Sequence, residues 1–368
     1  MNKKKKPRIR FKGFNDDWEQ RKVSEMADRY DTMRIPVTAN RRVPGDTPYY
    51  GANGIQDYVK GYTHDGEFVL VAEDGANDLK NYPIHYVNGK IWVNNHAHVL
   101  QAKSTEADNR FLQYAISRAD IESVLVGGGR AKLNANILMD IDITLPNLPE
   151  QKKIGGYFQC LDSLITLHQR KCEKLKIVKK SMLENCFPKN GQKVPKIRFS
   201  GFTDDWEQRK LSDVIDVCSG MDYKHLSEGN IPVYGTGGYM LSVNKALSYD
   251  KDAIGLGRKG TIDKPYILKA PFWTVDTLFY CIPKPECSLA FLYGLFQRVN
   301  WKQKDESTGV PSLSKVAING TNIMVPSTEE QRRIGEYFSK VDHLITLHQR
   351  KLEKLQKIKK SMLERMFV

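Results

Sequence analysis

The sequence predicts a mixed α/β (α+β) chain in which two like domains are separated by two long helices that pair as an antiparallel coiled coil, a pseudo-twofold internal repeat. Three observations predict it. Residues 7–24, PRIRFKGFNDDWEQRKVS, match residues 195–212, PKIRFSGFTDDWEQRKLS, at 14 of 18 positions. Residues 146–187 match residues 326–367 at 26 of 42 positions, with LITLHQRK, EKL and KKSMLE unchanged. Between these blocks the halves have diverged: the offset is 188 at Trp18 and Trp206 but 180 at Leu164 and Leu344, so the second intervening segment is eight residues shorter.

Taken in order, residues 1–145 hold a basic tail and the first variable domain. Seven positive charges (Lys3, Lys4, Lys5, Lys6, Arg8, Arg10, Lys12) fall within its first twelve residues. Short β-rich runs follow (GEFVLVAEDG, IWVNNHAHVL, DIDITLP), separated by Gly, Asn, Asp and Pro clusters, with one helical stretch, ADNRFLQYAISRADIESV. Residues 146–187 are the first helical spacer. Residues 188–325 begin with the hydrophilic joint PKNGQKV, where Pro188 and Gly191 stop the helix, and continue into the second variable domain with the runs DAIGLG and TLFYCI and the helical LAFLYGLFQRVNW. Residues 326–368 are the second spacer. Faint echoes connect the variable parts: TPYYGANG (47–54) with IPVYGTGG (231–238), and GEFVLVAEDG (66–75) with DAIGLGRKGT (252–261).

Residues 150–187 and 330–367 of the spacers lack Pro, are rich in Leu, Lys, Glu and Gln, and carry heptad stripes. Ile154, Leu161, His168, Leu175 and Met182 share one heptad position, with Leu164 and Ile165 beside them; the copy reads Ile334, Val341, His348, Leu355 and Met362, with Leu344 and Ile345. Some 37 residues at about 1.5 Å each make a rod of roughly 55 Å that needs a partner for its apolar stripe. The simplest partner for each rod is the other. His168 and His348 fall mid-stripe, where a buried polar residue fixes register; metal binding or pH sensing is the alternative.

Lys plus Arg number 57 against 43 Asp plus Glu, a net charge of +14 on a chain that is 40% hydrophobic. That composition excludes an intrinsically disordered chain and a disulfide-stapled miniature fold. No run of 18 apolar residues occurs and the N-terminus has no apolar signal region, so no membrane partner, a cytoplasmic location and reduced, structural cysteines are expected. The positive excess favours a polyanionic partner, nucleic acid first.

Motifs for chemistry are scarce. Gly255, Gly257 and Gly260 spell GxGxxG, but no helix-forming run follows to take a pyrophosphate, so a glycine turn presenting Arg258 and Lys259 to a phosphate or base is the better reading. No GxxxxGK[ST], HExxH, GxSxG, paired CxxC or Asn-Pro-Pro-aromatic box is present, and His96 and His98 have no third ligand at a suitable spacing, so no catalytic residue and no metal site is assigned. Candidate DNA-binding residues are Arg41, Arg42, Asn53, Lys80, Asn94, Asn95, Arg130 and Lys132 in the first domain, and Lys224, Arg258, Lys259, Lys264 and Lys315 in the second: Arg and Lys suit guanine edges and phosphates, Asn suits adenine.

The order PxIRFxGFxxDWEQRKxS, diverged domain, EQxxIGxYF…LITLHQRKxEKL…KKSMLE, all repeated, resembles the specificity subunit of type I restriction-modification systems over the whole chain. The resemblance implies two target-recognition domains, each reading one half of a bipartite double-stranded DNA site, with helices that set the spacer and dock methyltransferase subunits, two of them, while restriction/translocase subunits complete the enzyme. It also implies that S-adenosylmethionine, ATP and Mg belong to those partners, leaving this chain non-catalytic and without a cofactor. The alternative is a stand-alone tandem nucleic-acid-binding protein without enzymatic partners.

Overall fold

A computed structural model describes residues 6–127, 131–189 and 191–368. The chain divides into two compact units, one of residues 1–168 with 351–368 and one of residues 169–350, so each takes in part of both long helices.

In the first unit, β1 (Glu19–Lys22) leads through a single turn, α1 (Val23–Met26), into β2 (Ala27–Arg29); β3 (Pro44–Gly51), β4 (Gly54–Val59), β5 (His64–Ala72), β6 (Ile84–Val93) and β7 (Ala97–Ala102) follow. β2 to β7 form one six-stranded sheet, ordered β2-β7-β5-β6-β3-β4, antiparallel except where β3 meets β6. The run IWVNNHAHVL, read from sequence as one strand, is the end of β6 and the start of β7, with a turn at residues 94–96 closed by Asn94 Oδ1 accepting from His96 N–H at 2.8 Å. Then come α2 (Asn109–Ser117), α3 (Ala135–Asp140) and β8 (Asp142–Leu145), which pairs antiparallel with β1. Asp108 caps α2, its carboxylate accepting from Arg110 and Phe111 N–H at 3.1 and 3.0 Å and satisfying amide donors of the first turn. The helix α4 (Leu148–Asn185) begins in this unit and ends in the other.

The second unit repeats the plan with β9 (Glu207–Lys210), β10 (Ile215–Ser219), β11 (Glu228–Gly235), β12 (Gly238–Val243), β13 (Ala253–Gly257), β14 (Tyr266–Leu268), β15 (Trp273–Thr274), β16 (Leu278–Pro283), α5 (Leu289–Phe296), α6 (Lys315–Asn319) and β17 (Asn322–Val325), before α7 (Thr328–Met366). Here the single sheet is divided into β10-β16-β13-β14 and β12-β11-β15. The long strand β6 has become β14 and β15, interrupted at Pro271, which has no N–H to give a ladder, while Asp252 accepts from Ala270 N–H at 2.9 Å.

The nearly identical blocks build the same scaffold twice. Arg10 makes a two-pronged contact to Glu150 at 2.7 Å, and Arg198 makes the same contact to Glu330 at 2.8 Å; the two carboxylates are 0% and 1% exposed. Gln151 donates to the Pro146 carbonyl and Gln331 to that of Pro326, fixing the entry to each long helix. Trp18 packs edge-on against Phe111 and Phe367, and Trp206 packs the same way against Phe291 and Phe187. Thus Phe367, just past the end of α7, closes the core of the first unit, and Phe187, just past α4, closes that of the second.

Within each unit the segments of α4 and α7 run antiparallel. In the first, Lys359 pairs with Asp162 and lies over the Tyr114 ring; in the second, Lys179 pairs with Asp342 and lies over the Tyr293 ring. Cys172 faces the Ile345 carbonyl. Ile154, Leu161, Ile334, Val341 and Ile345 are buried, and Ile165, His168, Leu175, Met182, His348, Leu355 and Met362 are half-buried. Leu164 and Leu344, expected in the seam, are 38% and 41% exposed. One partner helix covers only a narrow stripe, and positions on its flank stay open to solvent.

Candidate nucleic-acid interface

Three of the basic residues singled out in the second domain converge. Arg258, Lys259 and Lys315 line a cleft of about 470 Å³ together with Ser219, Phe279, Ser312, Leu313 and Ser314. The turn that presents them follows from its glycines. At Gly257 an added Cβ would lie 2.0 Å from the Thr261 carbonyl, and Gly260 has φ +90°, so only glycine accepts this path. Backbone bonds pin the turn: Arg258 N–H donates to Thr277 O at 2.8 Å, Leu313 N–H donates to Arg258 O at 2.9 Å, and Gly260 N–H donates to Pro311 O at 2.8 Å. The chain then runs on to β14 rather than into a helix, so the glycine spacing makes no dinucleotide cradle. Ser314 accepts from Ala317 N–H at 3.0 Å and so anchors the short α6 that carries Lys315.

The equivalent place in the first unit carries the opposite charge. Leu133 N–H donates to Glu73 O as Leu313 N–H does to Arg258 O, and Asp74 bridges to Lys132 as Lys259 bridges to Ser312. Glu73 is held by Arg34 at 2.7 Å and Lys132 at 2.9 Å; Asp31 accepts from His98 at 2.7 Å and from Val99 N–H at 2.8 Å; Asp74 pairs with His96. Burial pushes the Asp31 and Glu73 carboxyls up, and the hydrogen bonds from His98 and Val99 N–H to Asp31, and from Arg34 and Lys132 to Glu73, more than reverse it, leaving both below the usual carboxylate range.

Several candidates of the first domain serve the fold instead. Asn94 is 4% exposed, inside the β6–β7 turn, and is not available to a ligand. Arg42 donates to Val37 O at 3.1 Å, reaches Asp57 at 3.4 Å and lies 4.1 Å over the Tyr49 ring. Asn53 donates to Gly75 O and accepts from Asn77 N–H, both at 2.9 Å, stapling two loops, and Lys132 is tied to Glu73. Arg41, Lys80, Asn95, Lys224 and Lys264 are exposed, apart from the Arg258 cleft. Arg130 lies outside the described residues. Sequence reading missed Ser219, Ser312, Ser314 and Phe279, whose types carry no signal on their own. It also missed exposed aromatics near two equivalent hairpins, Tyr58 and Tyr62 by β3–β4 and Tyr239 on β11–β12.

A family model described as the type I restriction modification DNA specificity domain matches residues 15–176 and again residues 203–357. The chain belongs to this family. A putative type I restriction enzyme specificity subunit of Haemophilus influenzae is 43% identical over 154 residues, 42% of this chain and 39% of that relative's length. The specificity subunit of the type I restriction enzyme MjaVIII of Methanocaldococcus jannaschii is 22% identical over 400 aligned residues, 95% of this chain and 91% of its own. The S subunit of a type I restriction-modification system from M. genitalium superposes with a TM-score of 0.80 at 16% identity, covering 99% of both chains, and so shares the fold. As a type I specificity subunit, this chain carries two copies of the DNA specificity domain. Among its described residues no group of three or more His, Cys, Asp and Glu could hold a metal ion, and no helix is long and apolar enough to cross a membrane.

Proposed function

We propose that this type I specificity subunit reads a bipartite duplex, each unit's variable part (within 1–145 and 188–325) recognising one half, while the helical segments 146–187 and 326–368 set the gap between the halves and dock methyltransferase subunits, two in number. Restriction/translocase subunits join the same complex. The chain itself is non-catalytic; S-adenosylmethionine, ATP and Mg are held by those partners, and the assembly is cytoplasmic. The observation that carries this reading is one scaffold built twice, with the same buried Arg–Glu and Trp–Phe contacts, whose equivalent loops differ: Glu73 and Asp74 are paired within the fold in one, and Arg258 and Lys259 line an open cleft in the other. A duplicated frame with unlike loops is what two different half-sites demand, because base edges are read by side chains while the frame only has to place them. The second half offers free cations, the groups that neutralise phosphates and bind guanine.

The test is selection from a random duplex library by the full-length chain with a methyltransferase subunit. Two short defined elements separated by a fixed gap are expected. Exchanging residues 213–325 for another such domain changes one element and keeps the other, and a heptad inserted into each long helix lengthens the gap by about three base pairs. A single uninterrupted element, both elements changing on exchange, or preference for single-stranded RNA overturns the reading.

A further inference from the structure

Resting on that reading, we infer that the cleft at the end of β13 is a guanine-binding subsite: Arg258 takes the O6/N7 edge of one guanine in the half-site read by the second unit, and Lys259 and Lys315 hold neighbouring phosphates. The cleft lies in the diverged part of the repeat. The larger grooves beside Phe187 and Phe367 are counterparts of one another, lined at equivalent positions such as Gln20 and Gln208, Arg118 and Arg298, and Ile143 and Ile323.

Arg258 is exposed, and no carboxylate engages Arg258, Lys259 or Lys315 among the described residues. Its guanidinium is nonetheless held. It lies 5.7 Å from the Phe279 ring centroid and reaches the Asp276 carbonyl at 3.4 Å, while bonds to Thr277 and Leu313 lock the backbone beneath it. A planar fork pre-placed over an aromatic ring loses little freedom on binding, and its parallel N–H donors match the two acceptors that guanine alone presents side by side in the major groove. Lysine can also reach a guanine edge, but as a point charge on a flexible stem it lacks the fixed fork of Arg258, so Lys259 and Lys315 are assigned to phosphates. The hydroxyls of Ser219, Ser312 and Ser314 add neutral donors and acceptors without a competing negative charge.

The experiment is the same library selection with Arg258→Gln and Arg258→Lys, each checked for unchanged thermal unfolding. Arg258→Gln is expected to lose a guanine at one position of one element, leaving the other element intact, with affinity for the wild-type target falling about 5- to 150-fold, and Arg258→Lys to weaken the same preference by less. Lys259→Gln and Lys315→Gln are expected to weaken all duplexes alike, each lowering the slope of log affinity against log salt by about 0.9. Arg258→Gln keeping the wild-type guanine preference, or weakening every duplex equally, makes Arg258 a phosphate contact and overturns the inference. A wild-type chain that selects a bipartite target insensitive to Arg258 refutes the inference alone; one that selects no bipartite target refutes the DNA reading beneath it.

Discussion

The loop after β5 in the first unit and the loop after β13 in the second hang from the same backbone bonds, yet one is closed upon itself and the other is open. Glu73 and Asp74 are consumed by Arg34, Lys132 and His96, whereas Arg258 and Lys259 face a cleft with no carboxylate partner among the described residues. Within a duplicated chain, then, an equivalent position does not imply an equivalent contact. The parts kept alike are those whose partners are buried, where a change in one side chain strands another. The parts that differ sit at strand ends, where a change alters only what the loop offers to a ligand.

The comparison can be broken first at the scaffold, where the largest effects are expected. Arg10→Ala leaves Glu150, and Arg198→Ala leaves Glu330, as a buried carboxylate without its partner, at a cost of about 3–5 kcal/mol each. Urea unfolding of the full chain, with hydrogen exchange to localise the loss, should show each variant loosening only its own unit by a similar amount; a harmless change in either would mean that the two frames are not equivalent. Transplanting charge is the next test. Arg258→Glu with Lys259→Asp should lower duplex affinity on the order of 100-fold with little change in stability, since these side chains are exposed. Glu73→Arg should instead destabilise the first unit by about 1–3 kcal/mol, because a third cation would stand beside Arg34 and Lys132. Equal effects on stability in the two units would remove the distinction between a closed and an open loop.

The smallest effect is a pH dependence confined to the first unit. Burial pushes His64 and His85 below the ordinary value of 6.5. Below that value the unfolded chain takes up protons that the folded chain refuses, so stability is full above about pH 6.5 and falls as the pH drops toward the folded values. Hydrogen exchange at pH 7.5 and pH 5.5 should show protection falling around β5 and β6 in acid, with no matching loss around β13 and β16; equal losses in both units would count against it.

Much of this architecture is legible without coordinates. The near-identical blocks announce two copies of one frame, the heptads announce long helices, and the alternating runs mark strands close to their true limits, as with DAIGLG and β13. The failures share one cause. Asn94 and Arg42 have the chemistry of base readers but are spent inside the fold, and Leu164 and Leu344 have the chemistry of a seam but lie beyond the stripe that the partner helix covers.

Sequence by itself determined the duplication, the elements and the basic surplus, because periodicity, turn residues and repeated blocks act over short stretches of chain. Tertiary structure alone decided which cations are free, since a lysine beside Glu73 and a lysine beside Ser312 read the same in the chain, and only long-range packing sets whether a carboxylate reaches them. The closing of each core by a phenylalanine from the end of the opposite long helix was likewise settled by packing, for Phe187 and Phe367 lie just past their own helices but bury against Trp206 and Trp18.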